Sequence, residues 1–112
     1  MGKSQRIKGR AFEQWVAKQL RGRLWPEARR GLQCQEGGRV ADIENTPYHV
    51  ECSCGGESIW AKWKQANDDS TRYSHKVPIV IKKRDRDEVV VMLSFETFVS
   101  ILGGAPPVLE EG

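Results

Sequence analysis

The run Val77-Pro78-Ile79-Val80-Ile81 most constrains the fold. It is continuously apolar and lies between a polar stretch, 67–76, and a charged one, Lys82 to Asp87. A short uninterrupted apolar run bounded by polar segments reads as a strand buried on both faces. Such a strand needs a covering layer on each side, so the other segments must supply amphipathic cover. At 112 residues the chain has room for one domain and one modest core.

The cover is legible as periodicity. Over residues 5–22, Ile7, Ala11, Trp15 and Lys18 share one line of a helix and Phe12, Val16 and Leu20 the line beside it, with Arg6, Arg10, Lys18 and Arg21 flanking the stripe. Ser4 is the expected N-cap, and Pro26 ends the segment. Residues 28–35 fit a strand, Glu36 to Arg39 a turn and Val40 to Ile43 a second strand. Tyr48 to Cys52 then alternates, with Tyr48, Val50 and Cys52 on one face and His49 and Glu51 on the other. After Gly55-Gly56, Ser58 caps an expected helix over 58–70 with Ile59, Trp60, Trp63 and Ala66 at core spacing. Glu88 to Leu93 is a further strand, and Ser94 caps a last helix carrying Phe95, Phe98, Val99 and Leu102, ended by Gly103-Gly104. The expected architecture is α/β, one domain with a core over about 6–102 and a loose tail over 103–112.

Charge is distributed unevenly. Residues 1–40 hold ten Lys/Arg and three Asp/Glu, and the remainder holds eight and twelve. A basic excess packed into one third of a chain suits a nucleic-acid footprint, although it also suits a solvated face. The N-terminus lacks a signal-like apolar region and no run approaches membrane-span length, so a soluble, cytoplasmic protein with no membrane partner is expected. Three cysteines, Cys34, Cys52 and Cys54, argue against a disulfide framework, and the two histidines lack zinc-ligand spacing to them.

Asp42 and Glu51 are the residues most at odds with their apolar neighbours. On paired strands their carboxylates would repel, raising one pKa, and a hard divalent cation would relieve both the repulsion and the cost of burial. The alternative is two surface carboxylates on hairpin edges.

The spacing of Asp42-Ile43 from Glu51-Cys52-Ser53 resembles that of the PD-(D/E)XK nuclease superfamily, and within it the Holliday junction resolvases of archaeal and phage type. Lys8 to Glu13, with its Gly-x-x-x-Glu, is similar to their opening helix. Arg29-Arg30-Gly31 is similar to the strand after it, and Ile59-Trp60 with Lys62, Gln65 and Ala66 to their second helix. The resemblance extends through Pro78-Ile79-Val80, Arg86, Val89-Val90-Val91 and Phe98. It implies a restriction-endonuclease-like αβββαβ core with a central mixed sheet flanked by helices. It also implies metal-dependent hydrolysis of DNA phosphodiesters at four-way junctions, in recombination and repair inside a phage-infected, bacterial or archaeal cell, by a homodimer. Asp42, Glu51 and the Cys52 carbonyl would hold Mg²⁺ or Mn²⁺, Glu13 would hold a second ion or orient water, and Gln65 would hold water or phosphate.

The motif calls for Lys at position 53, and the chain has Ser53. Three readings stay open: an engineered substitution, a cation relocated to Lys62, and a natural binder that does not cleave. Arg6, Lys8, Arg10, Arg29 and Arg30 are the DNA-backbone candidates, with Lys82, Lys83, Arg84 and Arg86 as an alternative surface. Trp15, Trp25, Trp60 and Trp63 could stack on bases, though helical spacing places Trp15, Trp60 and Trp63 in a core or dimer face. The competing functions are a non-catalytic DNA-binding module and a nicking or repair nuclease.

Overall fold

The computed structural model describes residues 2–31, 40–84, 86 and 88–104, with side chains from residue 7 onward. The elements are α1 (Gly2–Arg23), β1 (Arg29–Arg30), β2 (Ile43–Glu44), β3 (Tyr48–Cys54), α2 (Ile59–Asp69), a π-helical turn (Ser70–Ser74), β4 (Val77–Lys83), β5 (Val89–Met92) and α3 (Phe95–Gly103). The fold is mixed α/β. Five strands form one sheet in the order β1-β2-β3-β4-β5. Among the described strands only β3 and β4 run parallel. A parallel pair cannot be closed by a tight hairpin, and α2 with its π-turn supplies the crossover.

The apolar run behaves as its sequence requires. Ile79, Val80 and Ile81 are buried, Ile79 and Ile81 in the core beneath α1 and Val80 on the other face. Phe12, Val16 and Ala17 of α1 pack on Ile43, Val50, Cys52, Ile79 and Ile81. The first line of the α1 stripe, that of Ile7, Ala11, Trp15 and Lys18, stays outside, with Ile7 and Trp15 exposed and Trp15 stacked on Phe12 at 6.1 Å. Trp25 is half-buried against Tyr48. The opposite face of β3 and β4, carrying His49, Glu51, Ser53, Val80 and Lys82, lies under α2.

Several boundaries move. The helical backbone already begins at Gly2, so Ser4 sits inside the first turn rather than capping it. The expected strand 28–35 is described only at Arg29–Arg30, and from 32 to 39, Cys34 and the turn at Glu36 to Arg39 included, it lies outside the described residues, as does 105–112 of the tail. The next strand starts at Ile43, not Val40. The polar segment 67–76 is helical up to Ser74, its first residues extending α2 and the next five forming the π-turn. Ser58 and Ser94 cap their helices as expected, accepting from the Ala61 and Thr97 amides, and Gly104 closes α3 at φ 75°. Trp60 is not core: it is 69% exposed, because Ala66 and Asp69 form the buried side of α2.

Candidate functional site

Alternation along β3 sends His49, Glu51 and Ser53 to the α2 face. The antiparallel register Ile43↔Val50 sets Asp42, just ahead of β2, beside Glu51. Two main-chain contacts fix Asp42. The Cys52 amide donates to its Oδ2 at 2.8 Å, and the Gly31 amide donates to its carbonyl at 2.7 Å. Gly31 permits this approach because a Cβ there would fall onto the Ala41 carbonyl oxygen. A strand residue projects its N–H and C=O to the same side, so the Cys52 carbonyl points to the β2 side of β3, the side from which its amide reaches Asp42.

Lys62 completes the group from α2. Its Nζ lies 3.7 Å from Asp42 Oδ2 and 3.7 Å from Glu51 Oε1. The position follows from helical period: Lys62, Gln65, Ala66 and Asp69 share the face that meets the sheet. Burial and the Glu51 charge push the Asp42 carboxyl up to about 7, against the opposing pull of Lys62 and the Cys52 amide. Burial also works against ionised Glu51, but the His49 hydrogen bond and the Lys62 charge outweigh it and leave Glu51 below its ordinary value. One carboxyl is thus raised and the other lowered, as expected for two acids sharing one space. Burial disfavours charged Lys62, yet Asp42 and Glu51 more than offset it and raise its pKa.

Ser53 is buried in a network of its own. Its Oγ donates to Glu57 Oε1 at 3.0 Å and accepts from Lys82 Nζ at 3.2 Å. Lys82, its register partner on β4, also donates to the Gly55 and Glu57 carbonyls. The place where the motif Lys would stand is therefore filled by a serine, a carboxylate and a second buried lysine.

The remaining candidates divide. Glu13 bears electrostatically on Asp42 and Cys52, but its Oε1 accepts from Arg30 Nε at 2.8 Å. Arg30 is thus engaged with an acid, and Arg29 lies 3.4 Å from Glu44. Gln65 is half-buried on the Lys62 face of α2. Lys8 and Arg10 are exposed on α1, and Arg6 lies where side chains are outside the described residues. Lys8 and Lys83 border a cleft of about 300 Å³ walled by Ala11, Phe12, Trp15, Cys54 and Val89. That cleft opens on the α1 face of the sheet, away from Lys62. Cys52 and Cys54 are free thiols, and burial drives the Cys52 pKa well up, which leaves it inert as a nucleophile.

His49, Asp69 and Ser74 were not among the sequence candidates. One ligating atom each from His49, Glu51 and Asp69 lies within 4.8 Å of the others. His49 Nε2 stands 2.8 Å from Glu51 Oε2 and Nδ1 2.7 Å from Ser74 Oγ. The available signal was period two on β3, which puts His49 on the Glu51 face. The π-turn that brings Ser74 to it has no sequence signature. No helix among the described residues is long and apolar enough to cross a membrane. No family model, curated protein or solved structure matches the chain.

Proposed function

We propose that this protein is a metal-dependent DNA endonuclease with a restriction-endonuclease-like core, selective for four-way junctions, in which Lys62 supplies the cation that the motif places at position 53. The observation that carries the reading is Lys62 Nζ at 3.7 Å from both Asp42 and Glu51. An ammonium group at this position does what a strand-borne lysine would do: it lies beside both acids and within reach of a phosphate approaching them.

The donor set suits Mg²⁺ or Mn²⁺, being two carboxylates and a main-chain carbonyl, all hard oxygen ligands. Such an ion lowers the pKa of bound water and neutralises charge on the phosphate. Asp42, Glu51 and the Cys52 carbonyl would hold the ion. Lys62 orients the attacking water and offsets phosphate charge, and Gln65, one turn on, contacts water or backbone. Glu13 steadies Arg30 at the edge of the site. Lys8 and Arg10, with Arg6, Arg29 and Arg30, track the DNA backbone, which gives affinity without sequence preference. A homodimer would supply the two symmetric nicks that a junction requires. The apolar surface left at Val90, Val91, Phe95 and Leu102 offers a face for it.

The test is cleavage of labelled four-way junctions, linear duplexes and flaps in Mg²⁺ by the wild type and by Asp42→Asn. Paired symmetric nicks on the junction, lost in Asp42→Asn, are the expected result. Junction binding with no cleavage of any substrate would identify a non-catalytic binding module. Preferential nicking of duplex or flap would identify a repair nuclease.

A further inference from the structure

We infer that His49 is a positioning residue for the metal pair, one that holds Glu51 through a buried Ser74–His49–Glu51 chain so that one carboxylate oxygen stays turned toward Asp42 and Lys62. The inference rests on the proposed assignment of Asp42 and Glu51 as metal ligands.

The partners define the chain's polarity. Ionised Glu51 can only accept, so the proton of the neutral His49 ring sits on Nε2 and Nδ1 accepts from the Ser74 O–H at 2.7 Å, while Ser74 Oγ also accepts from the Lys76 amide at 3.3 Å. His49 Nε2–H donates to Glu51 Oε2 at 2.8 Å. This engages Oε2 and leaves Oε1, the oxygen 3.7 Å from Lys62, on the Asp42 side. Glu51 has three side-chain torsions and its residue is 1% exposed, so without a fixed partner its carboxylate could turn away from Asp42.

A purely structural role explains the arrangement poorly. His49 is also 1% exposed, and a buried polar chain of this kind is commonly no more stable than apolar residues of similar volume. The outer end of the chain comes from an unusual element. The π-turn Ser70–Ser74 closes with His75 in the left-handed region at φ 60°, and it carries Ser74 to the strand. Single-turn π segments recur at functional sites. Partners that orient metal ligands typically change affinity by about 10–100-fold when removed.

The experiment measures Mn²⁺ affinity calorimetrically at one fixed pH, with thermal unfolding of the metal-free proteins alongside. The proteins are wild type, His49→Gln, His49→Leu and Ser74→Ala. The Gln amide nitrogen lies as many bonds from Cβ as His Nε2 does and can still donate to Glu51. His49→Gln is therefore expected to bind Mn²⁺ nearly as wild type does. His49→Leu is expected to fold and to bind about 10–100-fold more weakly. Ser74→Ala, which leaves Glu51 and the core untouched, is expected to weaken binding to a smaller degree. Wild-type affinity in a folded His49→Leu overturns the inference while leaving the metal assignment intact. If His49→Leu fails to fold, wild-type affinity in Ser74→Ala overturns it. A wild type that binds no Mn²⁺ removes the metal assignment and the inference with it.

Discussion

Lys82 donates from its buried Nζ to Ser53 Oγ at 3.2 Å across the parallel β3–β4 register. The serine is therefore a member of a packed polar group rather than a gap where a lysine is missing. Ser53→Lys is expected to destabilise the fold, because it sets a second ammonium against Lys82 and breaks the bonds to Lys82 and Glu57. Unpartnering a buried polar or charged group costs about 1–3 kcal/mol or more. Ser53→Lys combined with Lys82→Ser should recover part of that loss. Urea titration of the three proteins checks this, and a single mutant as stable as wild type would show that the network is dispensable.

Gly31 acts at a distance on the same site. Its amide holds the Asp42 carbonyl, and its missing side chain lets β1 approach Ala41. Gly31→Ala is expected to cost about 1–3 kcal/mol, the range for forcing extra atoms into a packed position. It should also displace the Asp42 main chain and weaken Mn²⁺ binding. Unaltered stability and Mn²⁺ affinity would mean that the backbone yields there at no cost.

The sequence disclosed the central sheet because its signals are local. Five consecutive apolar residues and strict alternation over Tyr48–Cys52 leave few other folds, and Ser58 and Ser94 mark helix starts through their own hydroxyls. The face under α2 was harder to read, since it inverts the usual pattern. There β3 and β4 present His49, Glu51, Ser53 and Lys82, so the side of α2 that meets them carries Lys62 and Asp69, while Trp60 is left exposed. Periodicity assigns apolar residues inward and misreads a helix whose inner partner is polar. The Lys62 contacts needed the length and path of the β3–α2 connection, which Lys82 pins through the Gly55 and Glu57 carbonyls. No pattern within α2 itself contains that information.

Asp42 contributes to the pH dependence of the metal-free protein. Its pKa in the fold is about 7 against an ordinary 3.8, so between those values the folded state keeps a proton that the unfolded chain has released. Stability is then greatest below the ordinary value and is lost as pH rises through about 7. Glu51, whose pKa is lowered, has the opposite sign, but its loss occurs as pH falls below the ordinary carboxylate range. From about pH 5 to 7 Asp42 contributes a decline on the order of 1–2 kcal/mol. Asp42→Asn should flatten that window and be the more stable protein at its upper end. Denaturation in EDTA at several pH values measures both, and an unchanged slope in Asp42→Asn would assign the titration to another group.

Lys62→Met separates the two consequences of the ion pair. Without the cation, two buried carboxylates face each other, and removing one partner of a buried pair can cost about 3–5 kcal/mol. The observed loss should be smaller, because Asp42 can take up a proton, and it should shrink further at pH 5, where Asp42 is already neutral and only the pairing with Glu51 is lost. Mn²⁺ should bind the variant at least as tightly as wild type at neutral pH, since the ion then meets no competing ammonium. Cleavage of a four-way junction should nevertheless fall by about 10²–10³, the usual effect of losing one preorganised electrostatic partner. Metal binding kept and cleavage lost is the signature of a residue that acts on the phosphate and water rather than on the ion. Equal loss of both would make Lys62 a structural brace for the carboxylates, and the catalytic cation would then have to be sought at Lys82 or among the basic residues of α1.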